Sequence, residues 1–201
     1  MSDLGNPSYG FGPLGPGAEE RREMIELVGP HLRVYGCVSL LRFLRLSDLI
    51  NHNRGFLRLE DAGLLRRNGE ATGLTVPELM VNPDEITFIG QTTEDINSTE
   101  SSPPGGLDRP QMERTPRELV LFTEGHILTG TVYLFAETDV AIFVDSPDPR
   151  FVALVNGTAR SLADRRVISR FALMLVNRTQ ITAASLLETA GPAAESGVSV
   201  D

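Results

Sequence analysis

The chain has 201 residues, is 41% hydrophobic and 6% aromatic with no Trp, and carries a formal net charge of −9. It has no run of about 18 apolar residues, so no membrane-spanning helix is expected. All 18 basic residues are arginine and Cys37 is the only cysteine, which excludes lysine-based Schiff-base, P-loop and kinase chemistry and any internal disulfide.

Residues 1–21 are rich in Gly and Pro without apolar periodicity and read as a flexible N-terminal arm. They lack the basic-then-apolar order of a secretory signal, so a cytoplasmic location is expected. Within them GFGPLG has the G-x-G-x-x-G spacing, but no strand precedes it and no helix follows, as a dinucleotide site requires. Tyr9, Phe11 and Leu14 are instead candidate contacts of a docking arm.

Residues 22–91 read as a first β-module. REMIELVG is a strand, and Gly29-Pro30 marks a turn into HLRVYGCVSL. In that second strand Leu32, Val34, Gly36, Val38 and Leu40 share one face, while Arg33, Tyr35, Cys37 and Ser39 share the other. RLSDLINHN changes period: Leu46, Leu49 and Ile50 lie on one face of a short helix, with Ser47 or Asp48 as its expected cap. FLRLEDAGLL returns to a strand, and PELMVNPDEITFIGQ reads as a hairpin turning at Asn82-Pro83-Asp84. Residues 92–116 read as a disordered linker, 117–186 as a second β-module and 187–201 as a flexible C-terminal tail.

The two modules match in order. Val81-Asn82-x-x-x-Ile86-Thr87 recurs 95 residues later as Val176-Asn177-x-x-x-Ile181-Thr182. Arg22-Glu23 falls on Arg117-Glu118, His31-Leu32 on His126-Ile127, and Phe56 on Phe151 at the same offset. GCVSL falls on GTVYL at an offset of 94, so two compensating single-residue gaps are expected. A glycine at the matched position of both second strands, Gly36 and Gly130, implies close backbone approach. The fold class expected is mainly β with short helices: two tandem, small, partly open barrel-like modules, each ordered β-β-α-β-β-β.

The Gly36-x-Val38, Arg45-Leu46-Ser47-Asp48-Leu49-Ile50-Asn51, Phe56-x-x-Leu59-x-Asp61-Ala62 and Val81-Asn82-x-x-x-Ile86 motifs together resemble a small bacterial domain family of unknown function. The resemblance covers residues 31–91; the second module keeps the outer strands but has TDVAIFVD in place of RLSDLIN. It implies a β-rich module in tandem and carries no catalytic residue with it.

No catalytic, cofactor or metal site is expected. His31, His52 and His126 are not clustered in sequence, although matched positions for His31 and His126 would allow a shared site. Cys37 lies mid-strand without an evident base, and Asp145 and Asp148 lie in a proline-rich turn. Arg33, Arg42, Arg45, Arg54 and Arg58 crowd the first module, and Arg42, Arg45 and Arg54 are candidate interaction residues. Residues 22–91 hold eight Arg against nine acids, and residues 117–186 seven of each, so the modules lack the basic excess that nucleic acid requires. The expected function is a non-catalytic structural or adaptor protein that assembles with other chains or with itself. The alternative is a regulatory module binding a small anionic ligand.

Overall fold

The computed structural model describes residues 21–41, 43–91, 114–135 and 138–187. The expected arm, the candidates Tyr9, Phe11, Leu14 and Arg42, and most of the linker and tail lie outside the described residues.

The first half runs β1 (Arg22–Val28), β2 (Arg33–Ser39), α1 (Leu46–His52), β3 (Leu57–Leu65), β4 (Ala71–Val81), a 3-10 turn (Pro83–Glu85) and β5 (Phe88–Gln91). The second runs β6 (Arg114–Phe122), β7 (His126–Phe135), α2 (Val140–Asp145), β8 (Phe151–Ser161), β9 (Val167–Asn177), a 3-10 turn (Arg178–Gln180) and β10 (Ala183–Leu186). Residues 114–116, expected in the linker, open β6. No helix among the described residues is long and apolar enough to cross a membrane.

The fold is mainly β, as expected, and its strands form one continuous antiparallel sheet. The order is β10-β6-β7-β8-β9-β5-β1-β2-β3-β4, and the sheet does not close into a barrel. The physical reason lies at β5 and β9. A module with an open edge must satisfy that edge's backbone groups, and here each half satisfies one edge on the other. Phe88, Ile89, Gly90 and Gln91 pair with Val176, Leu175, Met174 and Leu173.

The expected hairpin is also corrected. β4 pairs with β3, and β5 pairs with β1 and β9, so β4 and β5 lie at opposite edges of the first half. The Asn82-Pro83-Asp84 turn is real, with Asn82 Oδ1 accepting from the Asp84 N–H at 3.1 Å. It redirects the chain rather than folding it back: the Thr87 N–H donates to the Val28 carbonyl at 2.7 Å, which commits β5 to β1.

Two apolar cores result. One collects Ile25, Leu27, Val34, Val38, Leu57, Leu59, Val81 and Ile89 from the first half, capped by Leu46, Leu49 and Ile50 of α1. The other collects Leu119, Leu121, Leu128, Val132, Val152, Leu154 and Val176. Residues paired across an antiparallel ladder share a face. Phe88 and Val176 serve the second core, whereas their neighbours Ile89 and Leu175 serve the first. The cores therefore lie on opposite faces of one sheet. β5 is buried on both faces along its whole length. Leu46, Leu49 and Ile50 of α1 cover the first core, and Val140 and Phe143 of α2 pack against the second.

Backbone geometry aligns the halves more simply than residue identity does. Gly36 stands opposite Ile25, and Gly130 opposite Leu119. The Gly29 N–H donates to the Leu32 carbonyl, and the Thr123 N–H to the His126 carbonyl. The offset is therefore 94 from β1 through β2. From β3 it is 95, since Leu57 pairs with Val81 as Val152 pairs with Val176. One inserted residue between α2 and β8 replaces the two compensating gaps. His126 then matches Leu32, not His31, and the shared histidine position falls away. The bulges agree, with Asp61 at φ 50° and Asn156 at φ 54°. So do the glycines. A Cβ on Gly36 would lie 3.0 Å from the Glu60 carbonyl, and one on Gly130 3.0 Å from the Val155 carbonyl.

Candidate functional site

The most elaborated polar and apolar contacts lie at the seam between the halves, where an interface must be built from two different sequences. The last turn of α1 carries Asn51, whose side chain clamps the first residue of β8. The Phe151 N–H donates to Asn51 Oδ1 at 2.8 Å, and Asn51 Nδ2 donates to the Phe151 carbonyl at 3.1 Å. The Phe151 ring enters the first core, and the Arg150 guanidinium lies over that ring, 5.5 Å from its centroid. Arg150 also pairs with Asp84 of the first half.

Asn177 is fully buried at the end of β9. Its Oδ1 accepts from the Thr179 N–H at 3.2 Å, matching Asn82 in the first half. Its Nδ2 crosses the seam and donates to the carbonyls of Pro83, at 3.3 Å, and Ile86, at 2.9 Å. Its own N–H donates to the Thr87 carbonyl at 2.9 Å. Gly90 is small for a reason: a Cβ there would lie 2.3 Å from the Phe171 ring, which seats directly on the β5 backbone.

Arg33 sits at the other end of the seam, buried. It donates to Glu26 at 2.6 Å, to the Arg67 carbonyl at 2.9 Å and to Ser169 of the second half at 2.6 Å. His126 lies nearby, its ring edge-on to Phe88 with centroids 5.4 Å apart. Burial lowers its pKa below the ordinary value of 6.5, and the positive charges of Arg33 and Arg67 lower it further.

The residues singled out in the sequence do not converge on one centre. Arg33 and Arg58 are engaged by acids, Arg58 with Glu78 at 2.9 Å. Arg45 is the N-cap residue of α1, and Arg54 lies exposed in the loop after it. Ser47 and Asp48 are not caps: the helix starts at Leu46, and no side chain caps it. Asp48 instead places a carboxylate in the first turn, where the helix dipole favours it. Cys37 is a half-buried free thiol on β2. The ring of His52 packs on Phe43 and its Nδ1 bonds the Asp48 carbonyl at 2.8 Å. Asp145 closes α2, and Asp148 lies in the proline turn, its carbonyl accepting from the Ser146 hydroxyl. Among the described residues no three His, Cys, Asp or Glu side chains gather to hold a metal ion.

Sequence reasoning missed Asn51, Phe151, Asn177 and Phe171 as interface residues. Only the repeat of Asn82 at Asn177 signalled one of them, and it pointed to the turn rather than to the amide that crosses the seam.

The seam has an unfilled counterpart. β4 occupies in the first half the place that β9 occupies in the second, and β10 that of β5. Both are outer strands. Phe151 is 1% exposed, and its match Phe56 is 58% exposed; Leu175 is 0% exposed, and its match Met80 is 50% exposed. Protein-family models, curated proteins and solved structures were compared with the chain, and none matches.

Proposed function

We propose that the chain is a non-catalytic structural protein that mediates protein–protein assembly through two copies of one β-unit. Duplication is supported by the shared strand order, the matched bulges at Asp61 and Asn156, and the paired glycines Gly36 and Gly130. One observation carries the assembly reading. The side chains that the second half buries in the seam, Phe151 and Leu175, are represented in the first half by two exposed residues, Phe56 just before β3 and Met80 on β4, whose outer edge is unpaired among the described residues.

An unpaired edge of this kind accepts a further strand from another chain. Main-chain hydrogen bonds supply affinity, and alternate side chains supply specificity. The anion-binding alternative has less support, because Arg33 and Arg58 already carry carboxylate partners. The test is capture of the full chain from a native lysate of cells that express it, followed by mass spectrometry, with Met80→Arg run alongside. A fixed set of co-purifying chains, depleted for Met80→Arg, is expected. Recovery of the chain alone and monomeric would overturn the reading.

A further inference from the structure

We infer that the partner at the β4 edge is a second copy of this chain, docked head to tail through its β10 strand. The inference rests on the assembly reading above and adds the partner, the register and the polarity. Within one chain β5 of the first half seats on β9 of the second. The outer strands left over are β10, which matches β5, and β4, which matches β9. One end of the molecule is thus the complement of the other end. Transferring the seam register places Ala183 opposite Val81, Ala184 opposite Met80, Ser185 opposite Leu79 and Leu186 opposite Glu78.

The backbone is ready for this ladder. The Asn177 N–H donates across the seam to Thr87. The period of two then turns the N–H of Leu175 toward β5 and that of Ile89 toward β9. Their matches, Met80 and Ala184, present N–H groups at the two free edges. The side chains differ from the seam in compensating ways. At the seam the large Phe171 lies on Gly90, which has no Cβ; at the free edges the smaller Val76 takes the place of Phe171, and Ser185 that of Gly90. β10 carries no charge, so Glu78, held by Arg58, meets no like charge there. Pro77 stands opposite the Asp61 bulge, one residue beyond the four transferred pairs. Asn82 matches Asn177, and among the described residues its Nδ2 donates to nothing. In the docked pair it would reach the carbonyls of Arg178 and Ile181 of the second copy.

Such a contact uses different surfaces on the two copies, so it propagates into a ring or a filament instead of stopping at a dimer. The experiment is sedimentation velocity on the purified full chain across a concentration series. It is repeated for Met80→Pro, which blocks the β4 edge, for Ala184→Pro, which blocks the β10 edge, and for an equimolar mixture of the two. Met80→Arg and Ala184→Arg form a second pair that keeps every backbone donor, and far-UV circular dichroism checks the fold of each variant. The wild-type chain is expected to form species larger than a monomer, and each single variant to weaken self-association about tenfold or more. The mixture is expected to yield a complex of two chains and nothing larger, because each variant retains the end the other lacks. A monomeric wild type overturns the inference. So does a mixture of folded variants that stays monomeric, and so does an assembly sensitive to Met80→Pro but not to Ala184→Pro. In any of these cases, co-purification of other chains that Met80→Arg abolishes would leave the assembly reading standing; capture of no other chain would remove both.

Discussion

The two halves share a path but divide the labour at their edges. In the first half β5 reads Phe-Ile-Gly-Gln and is buried on both faces; in the second, β10 reads Ala-Ala-Ser-Leu, exposed at Ala183 and Ser185 and only half-buried where Ala184 and Leu186 pack against the second core. α1 buries three apolar residues and clamps β8 through Asn51, whereas α2 buries none and ends in Asp145. The same backbone position thus becomes an inner wall or an outer rim according to four or five side chains. Burial at matched positions is decided by what lies across the next strand, not by the unit's own fold.

The largest test of that contrast is truncation at a matched pair. Phe151→Ala is expected to destabilise the chain by about 3–5 kcal/mol, since it empties a buried site in the first core. Phe56→Ala is expected to change stability by about 0.5 kcal/mol or less in dilute solution. Urea denaturation of both variants measures the difference, and equal costs would break the comparison. The asparagines come next. Asn177→Ala removes the donor to two carbonyls and should cost about 1–3 kcal/mol, while Asn82→Ala loses a single local turn bond and should cost about 1 kcal/mol or less. Thermal unfolding of the pair ranks them.

Smaller effects sharpen the comparison. Asp84→Asn removes the carboxylate facing Arg150 across the seam. Asp84 is largely exposed, so the loss should be about 0–1 kcal/mol and shrink further in high salt. His126 gives the gentlest test, because the first half has Leu32 in its place. Its folded pKa lies below the 6.5 of the unfolded chain, mainly through burial. The unfolded state therefore binds the proton more readily. The neutral form's contribution is complete above pH 6.5 and is lost as pH falls from there toward the folded value. His126→Leu should flatten that part of the stability–pH curve, read from denaturant midpoints between neutral and mildly acidic pH. An unchanged slope would assign it to another group.

Much of the first half was legible in its residues. Leu46, Leu49 and Ile50 fall on the buried face of α1, as their spacing requires. β1, β2 and β3 start and stop close to their alternating stretches, and Gly36 and Gly130 mark the same tight approach. The misses have physical causes. β4 begins at Ala71, but its outer part is exposed on both faces, so Thr72 to Thr75 carry no alternation to read. Phe88 and Ile89 each face a different core, which erases the period of two in β5. The β5–β9 pairing joins distant stretches by backbone bonds, on which side-chain pattern is silent. The histidine match failed because the ladder, not residue identity, sets the register: exposed His31 falls on Gly125, and half-buried His126 on Leu32. At the seam Asn177 was legible as a turn former, but its second hydrogen-bonding group reports to the other half and has no local signature.

The adjacency of Phe88 and Ile89 also bears on how the molecule comes apart. A probe of the first core and a probe of the second would read two neighbouring peptide groups of one four-residue strand. Loss of β5 strips a wall from both cores at once, so neither half retains a complete interior when the other melts. The ten strands should therefore unfold as one cooperative unit, with calorimetric and van't Hoff enthalpies in agreement. Amide protons of Ile89 and Leu175 should exchange only through global opening, among the slowest in the chain.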